Sequence, residues 1–172
     1  MTRDEALKQL DTIGREQAFG RYTGSDRLIQ AGLDALLADV DAPSLALLAG
    51  LLKREEPEAH ALFDDVLDEL GLRFHPPADP VAAQWALATW TAARIAEGSL
   101  DPAAGAYDIW TVATELGYPE ELQELVICAN NLDDWSDSWD VSHDHFLAEA
   151  VEAARRYLAG RPPEELREAT GC

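Results

Sequence analysis

Apolar residues recur along this chain at helical spacing, and prolines and glycines interrupt them at intervals. Nowhere does a period of two run long enough to make a strand. Residues 26–40 place Leu28, Ile29, Leu33, Leu36, Leu37 and Val40 on one predicted helix face. Asp41-Ala42-Pro43 then offers a cap and a first-turn proline to a helix over about 44–54. Pro57-Glu58 opens another, with Leu62, Phe63, Val66, Leu67 and Leu70 inward and Gly71 as its stop. The stretch 72–80 holds three prolines, which exclude regular helix, and reads as a linker. A nearly all-apolar helix follows from Pro80 to Glu97, the pattern of a central bundle element. Gly98 ends it, and Asp101-Pro102 starts a helix over 102–116 that Gly117 ends.

Pro119-Glu120-Glu121 begins the next helix, carrying Leu122, Leu125, Val126, Ala129 and Leu132. Ser142 caps a helix over 143–158 whose inner face is Phe146, Leu147, Ala150, Val151, Ala154, Tyr157 and Leu158. A helix over about 3–18 and a short tail helix from Pro163 complete the set. The expected fold is all-α: a compact bundle of eight or nine helices arranged as helical hairpins. Its 172 residues fit one domain, or sub-bundles 1–74 and 80–172 joined through 72–80. The joints at 37–43 and 96–102 echo one another, as stacked hairpins would, but so would any two short helix connections. A chain this long buries about 70% of its unfolded surface and needs no disulfide or metal to fold.

Charge narrows the function classes. Thirteen Lys and Arg face 33 Asp and Glu, a net charge of −20. Such a surface repels phosphates and anionic lipid, so direct nucleic-acid binding and membrane binding are not expected. A basic protein partner fits, as does charge kept for solubility alone. The sixty residues 95–154 carry fourteen carboxylates and no Lys or Arg. Their densest part is Asn131–Asp140, which sets Asp133, Asp134, Asp137 and Asp140 around Trp135 and Trp139. Exposed tryptophan inside a charged rim is the composition of a protein-binding hot spot. Tryptophans four residues apart serve a core equally well, with the aspartates solvating the outer face.

Other chemistry has weaker support. Asp133-Asp134-x-x-Asp137 spells the DDxxD pattern with which all-α prenyl diphosphate enzymes hold Mg²⁺, but no Arg or Lys lies nearby for a diphosphate. Glu120, Glu121 and Glu124, with Asp134 and Asp137, resemble the metal ligands of small all-α nucleotide pyrophosphohydrolases of the MazG and dUTPase-like group. Yet Pro163-Glu164-Glu165 repeats the spelling, and Pro-Glu-Glu is also simply a favourable first helical turn. Asp140, His143 and His145 offer a metal a carboxylate and two imidazoles only from a loop, because i and i+2 diverge on a helix. His60 and His75 stand alone. Cys128 sits in the apolar run 125–129 as a small hydrophobe, Cys172 is the last residue, and a disulfide between them is not expected. No nucleophile motif or phosphate loop is present, and no cofactor is called for.

Residues Trp85, Ala92–Trp110, Asp133-Asp134 and Glu152–Arg156 carry one resemblance, centred on Gly98-Ser-Leu-Asp101-Pro102-Ala-Ala-Gly105-Ala106. This half is similar to small acidic all-helical proteins of high-GC actinobacteria. The resemblance implies a fold and carries no activity or site residues with it. The N-terminal residues lack the apolar core of a signal peptide, and no run approaches a membrane span, so a cytoplasmic protein is expected. The first functional expectation is a non-enzymatic, acidic protein-binding module. An immunity or inhibitor protein that neutralises a basic toxin or nuclease is one such module. Its binding residues would be Asp133, Asp134, Trp135, Asp137, Trp139 and Asp140. The alternatives are the metal-dependent hydrolase and an accessory scaffold with no activity of its own.

Overall fold

A computed structural model describes residues 1–161; the tail helix expected from Pro163 and Cys172 lie outside them. Among the described residues there are eight α-helices, two 3₁₀ turns and no strand, so the protein is all-α. The chain forms two compact units that divide between Pro76 and Pro77.

The first unit contains α1 (Arg3–Ala18), α2 (Ser25–Leu37), α3 (Leu45–Ala49), a 3₁₀ turn (Lys53–Glu58) and α4 (Ala59–Glu69). Helix α1 is started by a reciprocal cap: Thr2 Oγ1 accepts from the Glu5 amide while Glu5 accepts from the Thr2 amide. Hydrogen bonding from the Thr2 amide, and secondarily from the Thr2 side chain, holds the Glu5 carboxyl below its usual range. The core is Leu10, Ile13, Leu28, Leu45, Leu48, Phe63 and Val66, all fully enclosed. Each such side chain stabilises the unit by about 1.5–3 kcal/mol relative to exposure.

Two expectations change here. On α2 the buried residues are Leu28, Ala31, Gly32 and Ala35, so the expected face holds at Leu28 and at Val40 just beyond the helix but not at its other leucines. Leu33 and Leu36 are exposed, and Leu37 is 76% accessible. The reason is close approach: a β-carbon on Gly32 would stand 2.9 Å from the Leu48 side chain, so the small-residue face receives α3. The helix expected over 44–54 ends at Ala49 with Gly50 as its C-cap. Pro57 then sits in the 3₁₀ turn that precedes α4 and has no amide to donate. Glu69 compensates for the short helix, accepting from the Ser44 amide at 2.9 Å and the Ser44 hydroxyl at 2.7 Å.

The second unit contains α5 (Pro80–Ala96), α6 (Pro102–Glu115), a 3₁₀ turn (Glu120–Leu122), α7 (Gln123–Asp133) and α8 (His143–Ala159). Asp79, Asp101 and Ser142 each cap a following helix by accepting an amide three residues on. Helices α5 and α6 pack as a hairpin turned at Gly98, whose φ of +74° suits glycine. The core is built largely of small residues: Ala88, Ala92, Ala106, Ala113, Ala129, Ala150, Ala153 and Ala154 surround Ile95, Ile109 and Leu125. Inside it the Thr89 and Tyr157 hydroxyls share a buried hydrogen bond of 3.0 Å. The helix expected from Pro119 begins only at Gln123, because Glu120 and Glu121 lie in the 3₁₀ turn. Asp101→Ala removes the α6 cap and is expected to lower stability by about 1 kcal/mol, measured as a urea midpoint shift.

Candidate functional site

The end of α7 determines how the acidic segment is displayed. Helix α7 stops at Asp133, and residues 134–142 turn back to the Ser142 cap of α8. Two aromatic contacts fix this turn. Trp135 is half-buried, and its indole N–H donates to the Val141 carbonyl at 2.9 Å, closing the turn on itself. The same ring meets His143 edge-on with centroids 5.2 Å apart. Trp139 packs edge-on against Phe146 at 5.7 Å, yet 40% of it stays accessible. The two tryptophans therefore differ: Trp135 braces the turn, while Trp139 is anchored at one edge and presents the rest of its surface to solvent.

All four aspartates of the segment, Asp133, Asp134, Asp137 and Asp140, are exposed. Ser136 and Ser138 hydroxyls bond to each other at 2.7 Å, and the Trp139 amide donates to the Ser136 carbonyl, so the tip is hydrogen-bonded internally. The arrangement is an exposed aromatic surface bordered by carboxylates on a turn with internal supports. Preformed geometry of this kind lowers the ordering cost of an association.

The second set of candidates is not assembled. Glu120 and Glu121 lie on the 3₁₀ turn before α7, Glu124 on its first turn, and Asp134 and Asp137 beyond its far end. Glu124 accepts from Arg156 of α8 at 2.8 Å. Its carboxylate holds the Arg156 pKa above the ordinary arginine value. His143 is engaged with Trp135, and His145 lies 3.3 Å from Glu149 and edge-on to Phe146. Among the described residues no group of three or more His, Cys, Asp or Glu side chains is placed to hold a metal ion. The rest of α7, residues 125–133, separates Glu124 from Asp134, so the EExxE and DxxD halves sit at opposite ends of one helix.

Cys128 on α7 is buried and unbridged. Desolvation is the main cause that pushes its thiol up to about 11, with the nearby Glu149 carboxylate adding to the effect. The thiolate is the reactive form, so this cysteine is packing rather than a nucleophile. In a Cys172→Ser background, alkylation at pH 8 is expected to be slow in buffer and rapid in denaturant; fast native labelling would contradict this placement. No helix among the described residues is long and apolar enough to cross a membrane. No family model matches the chain, and no curated protein or solved structure matches it either.

Proposed function

We propose that the second unit is a docking module for a basic protein, of the inhibitor or immunity kind, engaged through the 133–140 turn. The observation that carries this reading is the partial exposure of Trp139 on a braced turn among four exposed aspartates. A large aromatic side chain held in one orientation supplies binding area at low entropic cost, and hot spots are enriched in tryptophan. The carboxylates steer a cationic partner and reject acidic ones. From Glu97 to Glu152 the sequence holds no Lys or Arg, and the arginines that follow it, Arg155 and Arg156, pair with Glu152 and Glu124.

The test is capture from the lysate of the organism that carries the gene, washed at ~0.1 M and ~0.5 M salt, where screening lengths differ severalfold. The expected result is one stoichiometric basic protein, weakened at high salt and lost with Asp133→Lys combined with Trp139→Ala. A wild-type bait that stays bare at both salts, or a partner retained equally by the double variant, overturns the reading.

A further inference from the structure

We propose that the first unit contains a binding site for an uncharged, ring-bearing molecule with the chemistry of a nucleoside, in the cleft that Tyr22, Thr23, His60 and Phe74 line. The cleft is open and measures about 550 Å³, within the range of small-molecule sites. Its lining runs from Gly14 to Pro76, so it belongs wholly to the first unit.

Two helix ends build it. Helix α1 closes with Gly20 at φ +82°, the Gly20 amide donating to the Gln17 carbonyl and the Arg21 amide to that of Glu16. Helix α4 closes the same way, with Gly71 at φ +67° and the Leu72 amide donating to the Leu67 carbonyl. Both glycines adopt the left-handed conformation of the helix-terminating motif. The two helices run antiparallel here, since Gln17 reaches His60 while Gly14 lies against Leu67. The chain leaving each end therefore returns over the other helix, and Tyr22, Thr23 and Phe74 come to one cleft.

The fixed charges of the lining are already used. Arg73 forms a two-point ion pair with Asp68, lies 3.7 Å from the Asp64 carboxylate and donates to the Asp64 carbonyl at 2.9 Å. Arg21 is engaged as well. An ionic ligand of either sign would have to displace one of these pairings. An anion would also meet the net −20 charge of the chain. The lining therefore selects against charge.

What it offers is neutral hydrogen-bonding and ring surface. Thr23 is 2% exposed, and its hydroxyl has no hydrogen-bond partner among the described residues. A buried hydroxyl left unpaired is unfavourable, and a ligand group that bonds it removes that cost. The Gln17 side-chain amide bonds His60 Nδ1 at 3.2 Å, which leaves Nε2 as the ring nitrogen without a partner among the described residues. Tyr22 is 86% accessible although it is a large aromatic side chain, and its ring stands 6.1 Å from that of His60. Phe74 is held by Phe19 at 5.3 Å and by the Arg15 guanidinium at 4.4 Å, and Leu67 adds apolar wall. A base has the ring that Tyr22 and Phe74 suit, and its edge and the sugar hydroxyls have the donors and acceptors that Thr23 and His60 require.

Calorimetric titration of the full chain at pH 8 with adenosine, inosine, cytidine and uridine tests this, with adenosine 5′-monophosphate as the charged counterpart. Saturable binding of at least one nucleoside is expected, and the monophosphate should bind more weakly than adenosine. Thr23→Val keeps the side-chain shape and removes the unpaired hydroxyl. It should weaken the nucleoside roughly fivefold while leaving the thermal midpoint unchanged or higher. Tyr22→Ala removes an exposed ring and should also weaken binding roughly fivefold, which keeps the test informative if Thr23→Val misfolds. The proposal is overturned if no nucleoside binds by ~10 mM, if the monophosphate binds more tightly than adenosine, or if a folded Thr23→Val or Tyr22→Ala binds as wild type.

Discussion

Phe63→Ala is expected to destabilise the first unit by about 3–5 kcal/mol, the largest effect of any single substitution considered for it. Phe63 is fully enclosed on α4, in a core with Leu10, Ile13, Leu28, Leu45 and Leu48. Truncation removes the transfer free energy of the ring and leaves a cavity that these neighbours fill only in part. The cost is a large share of the ~5–15 kcal/mol that holds a typical domain together. All five tryptophans lie at or beyond Trp85, so tryptophan fluorescence reports the second unit. The effect is therefore measured by far-ultraviolet circular dichroism together with hydrogen exchange of α4 amides. A loss below about 1 kcal/mol would mean that Phe63 is not at the centre of this core.

Gly105→Leu is expected to cost about 3 kcal/mol in the second unit. A β-carbon at this position would stand 2.5 Å from Ile95 Cγ1 and 3.0 Å from Leu100 Cδ2. Ile95 is fully buried, so it cannot swing aside, and α5 and α6 would have to separate. Glycine in a helix is otherwise about 1 kcal/mol worse than alanine, so close approach is the reason for its presence here. Gly105→Ala sets the propensity gain against the same clash and should fall between wild type and Gly105→Leu. Leucine at 105 with an unchanged fluorescence-monitored midpoint would contradict this packing.

What the residue pattern announces is mostly where helices start and stop. Asp101-Pro102, Ser142, Gly71, Gly98 and Gly117 each mark a boundary that the structure places within a residue or two, because caps and left-handed glycines are local devices. Thr2 and Glu5 also spell a capping box before α1. Which face of a helix is buried is a different matter. The leucines of α2 draw attention to Leu33, Leu36 and Leu37, but the packed surface is Ala31, Gly32 and Ala35. Close helix approach is decided by small residues, whose transfer free energies are modest and whose signal is weak beside leucine.

The candidate sites divide along the same line. The composition of 131–140 already points to an acidic aromatic segment, but tryptophans four apart leave open which one faces outward. The Trp135 bond to Val141 and the Trp139 contact with Phe146 decide that.

The docking role of Trp139 is tested most directly by titrating the captured basic partner against wild type, Trp139→Ala and Asp133→Lys at ~0.1 M and ~0.5 M salt. The account predicts that Trp139→Ala weakens binding at least tenfold at both salts, as loss of a hot-spot anchor does. It predicts that Asp133→Lys weakens binding chiefly at low salt, where steering is strongest. Equal affinity of wild type and Trp139→Ala would contradict it and leave the acidic turn without a binding role.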